Sequence, residues 1–148
     1  MAGFDLPEYT WLKVLNFKYC HGLTGTLEPV KNLIELTHLT VWDCYNLTGN
    51  LAPLWDLIQL QYLDLKLCPN LTGNLEPLRN LGQCKTLFLT GCVGLEGTLR
   101  TLRNLPKLRF LDIGVTRWSD MDPSLSGIND FMMAVPHCHV SCPSGAFR

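Results

Sequence analysis

Long apolar runs are absent: nowhere do about 18 consecutive apolar residues occur, so no membrane-spanning helix is expected. Charge is scarce and balanced. Charged residues make up 17% of the 148 and the formal net charge is −1, which leaves no electrostatic footprint for nucleic acid or for an anionic membrane surface. No run of like charges marks an acidic or basic tail. The opening residues, Met-Ala-Gly-Phe-Asp-Leu-Pro-Glu, lack the basic and apolar regions of a secretory leader. The expected setting is therefore cytoplasmic and reducing, and the seven cysteines are expected as thiols. An apolar fraction of 47% is ample for a folded core in a chain this long.

What the sequence does have is a period. Cys20, Cys44, Cys68 and Cys92 stand 24 residues apart, and Thr116 takes the next place. Leu15, Leu39, Leu63, Leu87 and Leu111 keep that spacing, as do Phe17, Val41, Leu65, Leu89 and Ile113. Leu-Thr-Gly recurs from Leu23, Leu47 and Leu71, with Leu95-Glu96-Gly97 as a diverged copy. Written from Leu36, the unit is LxxLxVxxCxxLTGxLxPLxxLxx. A fixed period of this length means stacked coils, none of which can bury its leucines alone.

Within a coil, Leu39 and Val41 alternate with polar neighbours, which predicts a short strand with one buried face. Leu51, Leu54 and Leu57 are spaced by three, which predicts a short helix or 3-10 turn on the opposite wall. Thr26, Asn50, Asn74 and Thr98 precede that turn as capping residues. Pro29, Pro53 and Pro77 fall in its first turn, where the missing N–H costs nothing. Gly25, Gly49, Gly73 and Gly97 mark the bend between the two walls.

LxxLxLxxC resembles the leucine-rich-repeat signature, with Cys at the place usually held by Asn or Cys. The Leu-Thr-Gly-x-Leu half is similar to the 24-residue plant-type repeat, although here the Gly stands one residue later and the Pro follows the apolar residue by two. The resemblance covers about Leu6 to Thr116. It implies an α/β solenoid with a curved parallel sheet on the concave face and short helices or 3-10 turns on the convex face. It also implies protein recognition and no catalytic residue.

The expected layout is one domain over 1–148: a partial first repeat (1–11), repeats over 12–116 and a C-terminal capping segment (117–148). Leu6 and Tyr9 stand 24 residues before Val30 and Leu33, so the chain enters within the helical half of a coil. The strand Lys13 to Phe17 is then an edge, and edges pair with other chains, so weak homodimerisation through it is expected. At the other end Ile128, Phe131, Met132 and Val135 lie at helical spacing, with Ser126 as cap and Pro136 as stop. A last short strand is expected around Cys138 to Val140.

Four cysteines in one column could suggest metal binding, but the expected role is structural, with each thiol bonded to loop backbone. Cys84 falls in the column of Leu12, Leu36, Leu60 and Leu108, so it is expected in the core. His137, Cys138, His139 and Cys142 offer ligand types, yet strand alternation sends the histidines one way and the cysteines the other. Asn46-Leu47-Thr48 and Asn70-Leu71-Thr72 match the glycosylation sequon as products of the repeat. No nucleophile–base set, Gly-x-Ser-x-Gly turn or phosphate-binding loop stands out. Neither catalysis nor a cofactor or metal is expected.

The remaining candidate is the outward face of the strands. If Leu39 and Val41 point inward, then His38, Thr40 and Trp42 point outward. In the same register the face shows Val14, Asn16 and Lys18; Tyr62, Asp64 and Lys66; Thr86, Phe88 and Thr90; and Phe110, Asp112 and Gly114. Aromatic anchors among a few charges are the composition of a recognition patch. The expected protein-binding residues are His38, Trp42, Tyr62, Phe88 and Phe110, with Asp64, Lys66 and Asp112 setting orientation. The other expectation is a structural or self-associating segment of a longer array.

Overall fold

The computed structural model describes residue 6 and residues 8–114 and 126–141; Thr116, Trp118 and Cys142 therefore lie outside the described residues. Among the described residues eight short strands occur, in chain order β1 (Val14–Asn16), β2 (His38–Thr40), β3 (Tyr62–Asp64), β4 (Gly73–Asn74), β5 (Thr86–Phe88), β6 (Leu95–Glu96), β7 (Phe110–Asp112) and β8 (His139–Ser141). Six of them form one parallel sheet in the order β1-β2-β3-β5-β7-β8. Pairing follows the sequence period: Leu15 faces Leu39, Leu39 faces Leu63, Leu63 faces Leu87 and Leu87 faces Leu111. Identical neighbours therefore stack in register, and these leucines from Leu39 to Leu111 are fully buried.

The opposite wall is made of 3-10 helices at Glu28–Val30, Ala52–Leu54, Glu76–Asn80 and Leu99–Asn104. The first three carry proline at their second residue. The fourth has Thr101 in the column of those prolines and is the longest. The capping residues act two positions ahead. The backbone N–H groups of Glu28, Ala52, Glu76 and Arg100 donate to the side chains of Thr26, Asn50, Asn74 and Thr98. In the first three helices the cap position proper is a buried leucine, so the polar residue serves from one place further out. The predicted bend glycines adopt positive φ: Gly25 +92°, Gly49 +84°, Gly73 +84° and Gly97 +133°.

Two features are not visible in the repeat pattern. A second small ladder joins β4 to β6, and single bridges link Gly25 to Leu47 and Gly49 to Leu71. A second left-handed position also recurs each coil, at Tyr19 (+60°), Asp43 (+61°), Leu67 (+56°) and Gly91 (+80°). Each of these donates its N–H to the next coil, onto Trp42, Lys66, Thr90 and Gly114 respectively. The turn is held by the continuing backbone ladder, and that offsets the steric cost of the left-handed region for non-glycine residues.

The cysteine column is bonded as backbone ties. Cys44, Cys68 and Cys92 donate to the carbonyls of Phe17, Val41 and Leu65 at 3.0, 2.8 and 2.8 Å. Each thiol thus links its coil to the one before. Burial pushes Cys44 up to about 11 and Cys68 to about 12, so these groups stay protonated and poorly nucleophilic. Cys84 lies in the core as its column requires, also pushed by burial to about 12. The sequon amides of Asn46 and Asn70 donate to His21 and Tyr45 carbonyls at 2.7 and 2.6 Å, the same kind of tie between coils.

At the C-terminal end, helix α1 (Ser126–Ala134) packs against the fourth 3-10 helix. Phe131 and Val135 reach the core, but Met132 is 48% exposed. The apolar spacing placed Met132 on the buried stripe; a short capping helix presents a narrower face to the end of a coil stack than to a flat core. The chain then enters β8, where Leu111 pairs with Val140. The step between these partners is 29 residues, not 24, because the helix is interposed.

Candidate functional site

Strand alternation fixes which side chains leave the sheet. Leu39 and Val41 are buried, while His38, Thr40 and Trp42 are not, and the other strands follow the same register. The outward rings are not scattered. His38 stacks on Tyr62 at 5.9 Å between centroids, Tyr62 meets Phe88 at 5.7 Å, Phe88 meets Phe110 at 5.3 Å and Phe110 meets His139 at 5.5 Å. These separations lie within the range where ring pairs attract. The rings form one unbroken ladder over five strands.

Its continuity depends on a substitution within β5. The row that carries His38, Tyr62 and Phe110 has Thr86 at the intervening place. Phe88, two residues later on the same face, leans in and fills the gap between Tyr62 and Phe110. His139 extends the row because it pairs opposite Phe110. The irregular step into β8 hid this member from a search by period. Cys138, adjacent to it, is buried on the other side, so His139 and Cys138 face apart.

Trp42 stands beside the ladder at the exit end of the strands. Lys18 and Lys66, its neighbours on either side in the same row, hold their ammonium groups 3.9 and 4.3 Å from its ring centroid. Lys66 also lies 4.2 Å from the Phe88 centroid, and Tyr19 packs on Trp42 at 5.1 Å. These are cation–π distances. Trp42 Nε1 is buried and has no hydrogen-bond acceptor among the described residues.

Asp64 departs from expectation. Its position faces outward, yet it is only 2% exposed, so it is not a solvated orienting charge. Its Oδ1 accepts from the Lys66 backbone N–H at 3.0 Å, and Oδ2 lies 3.7 Å from the Lys66 ammonium. Burial holds its carboxyl above the usual range despite the opposing effect of Lys66 and of the Tyr62 hydroxyl. Its neighbours on the face are Tyr62, whose hydroxyl bonds to it, Phe88 opposite it on β5, and the Lys66 side chain. Asp112 accepts from the Thr90 hydroxyl, which in turn accepts from the Gly114 N–H. Both acidic candidates are thus engaged by the face itself. His38, Trp42, Tyr62, Lys66, Phe88 and Phe110 are brought together on it.

No protein-family model matches the chain, and no curated protein matches it in sequence. Solved structures do resemble it. Internalin C2 of Listeria monocytogenes matches with a TM-score of 0.60 at 24% identity, covering 90% of this chain and 52% of that one. A second internalin of the same organism, inlF, matches with a TM-score of 0.53 at 16% identity, covering 90% of this chain and 48% of that one. The chain spans about half the length of these structures. Internalins are leucine-rich-repeat proteins. With its 24-residue period, its in-register parallel sheet and its opposing wall of 3-10 helices, this chain has the fold of a leucine-rich-repeat solenoid.

Proposed function

We propose that this chain is a non-enzymatic protein-binding module and that its partner docks on the outward face of the six-stranded sheet. The observation that carries the reading is the ladder His38–Tyr62–Phe88–Phe110–His139. Contiguous half-exposed rings on a rigid sheet provide apolar contact area without a cost of ordering, which is where binding hot spots concentrate. The likeness to leucine-rich-repeat proteins supports the same reading. The test is affinity capture with mass spectrometry, wild type against Phe88→Ala with Phe110→Ala. The pair is expected to lower the melting temperature by a few degrees and to abolish capture of the partner. A folded double variant that captures the same partner at full strength refutes the reading.

A second reading, self-association, is favoured by one specific region. Among the described residues β1 pairs on one side only, with β2, and Trp11 (66%), Val14 (59%) and Tyr19 are exposed nearby. A second copy of this chain could add to that edge.

A further inference from the structure

Basic residues stand at both margins of the ladder, although the whole chain is close to neutral. At the exit end stand Lys18 and Lys66, against Trp42. At the entry end, Lys13, Lys85 and Arg109 each occupy the position just before a strand, and all three are exposed. The acids in the same region are already engaged: Asp64 is buried beside Lys66, Asp112 accepts from Thr90, and Asp43, just past Trp42, accepts from or pairs with His21 at 2.9 Å. An apolar stripe with cations at both margins, on which Asp43, Asp64 and Asp112 are each engaged, is complementary to one kind of ligand.

We infer that the face binds an extended acidic peptide segment, whose apolar side chains lie on the ladder and whose carboxylates reach Lys18 and Lys66 on one margin and Lys85 and Arg109 on the other. The inference rests on the sheet face being the docking surface. The ladder crosses five strands at about 4.8 Å each, or about 19 Å between its end rings, which an extended segment of about six residues covers. Carboxylates at such margins speed encounter and reject basic competitors, and their effect falls with added salt. Because Lys18, Lys85 and Arg109 are exposed, each pair with them contributes modestly and several must act together.

Fluorescence anisotropy with the full chain tests this. The probes are labelled peptides of about eight residues built from phenylalanine, glutamate and aspartate, the same peptides with serine or lysine for every acid, and an oligothymidylate of similar length. The acidic peptide is expected to bind about tenfold more tightly than the serine peptide at low salt, and the gap is expected to close as salt rises. Lys18→Glu with Lys85→Glu should remove that advantage. Lys66 is left in place because it faces buried Asp64, and circular dichroism checks that the variant is folded. Equal binding of the serine or lysine peptide overturns the inference, and so does tighter binding of the oligothymidylate, which would make the face a nucleic-acid platform. Phe88→Ala should weaken the acidic and serine peptides alike. If Phe88→Ala changes nothing while the charge variant still abolishes acidic binding, the acidic ligand sits off the ladder, and the docking face, not the charge preference, is what fails.

Discussion

The ammonium of Lys66 lies 3.7 Å from the carboxylate of Asp64, and the two differ sharply in access: 21% of the lysine side chain is exposed against 2% of the aspartate. The buried carboxyl is held above its usual range, so the folded environment favours its neutral form. Its stabilising contribution is therefore complete below the unfolded value and is lost as pH rises through the folded one. Asp64→Asn keeps an acceptor for the Lys66 N–H and removes the desolvated charge, so it is expected to leave stability at pH 7 unchanged or raise it. Lys66→Met removes the nearest cation and is expected to cost about 1–3 kcal/mol at neutral pH, with a smaller loss at acid pH where Asp64 is protonated. Urea unfolding at the two pH values measures both.

Two leucines four residues apart should respond in opposite directions. Leu63 is fully buried between coils on both sides, and Leu63→Ala is expected to cost about 2–5 kcal/mol. Leu67 is 46% exposed at φ +56°. Leu67→Gly relieves that backbone and is expected to be neutral or to stabilise by up to about 1 kcal/mol. Gly91 holds the same place one coil on at φ +80°, and a Cβ there would meet Leu67 Cδ2 at 2.7 Å. Gly91→Ala should therefore destabilise. Thermal melts of the three variants separate these cases.

The thiol column predicts the alkaline limit. Cys44, Cys68 and Cys84 have folded values pushed by burial from 9.0 to about 11, 12 and 12. The folded state retains protons that the unfolded chain releases, so stability is complete below pH 9 and falls as pH rises toward those values. In that window each such thiol removes about 1.4 kcal/mol per pH unit. Unfolding by denaturant should weaken steeply above pH 9, and Cys68→Ala should reduce the slope. Alkylation in the native state at neutral pH should be slow at these positions. Rapid modification of Cys68 would contradict its placement.

The edge strand gives a direct test of self-association. Phe17 N–H points toward β2, where it donates to Thr40, so by strand alternation Asn16 N–H points away from it. Asn16→Pro removes that outward donor and spares the pairing with β2. If β1 mediates dimerisation, sedimentation velocity should show a concentration-dependent dimer for the wild type and a monomer for the variant. A wild-type monomer at high concentration counts against the edge.

The period alone was enough to read the wall of strands, the opposing 3-10 helices, the inward leucines and the cysteine column, because each depends only on residues within one coil. The outward register followed from alternation, which placed Trp42, Tyr62, Phe88 and Phe110 on one face. What stayed hidden depends on contacts between coils or on breaks in the period. Asp64 sits between the Tyr62 ring of its own strand and the Phe88 ring opposite it on the next, and the second of these is not revealed by any pattern within its own coil. His139 joins the ladder through a 29-residue step. Tyr19, Asp43 and Leu67 share a left-handed turn although their side chains have nothing in common; only Gly91, the fourth member of that column, gives a hint of it. Met132 fitted a helical stripe on spacing, but spacing does not say how wide a face the neighbour offers.

The in-register pairing from β1 to β7 has an evolutionary consequence. Any insertion or deletion of one whole 24-residue unit rejoins the chain at equivalent positions: excision of 61–84 would put Lys85 after Leu60, as Gln61 is now, and Leu87 opposite Leu39. Core, cysteine ties and turns would meet neighbours of the same kind as before, while the outward face would shorten by a single step of about 4.8 Å. Reach along the ladder is therefore quantised. Recombination within such a gene can change the length and ring order of the face in discrete increments without having to reinvent the fold beneath it.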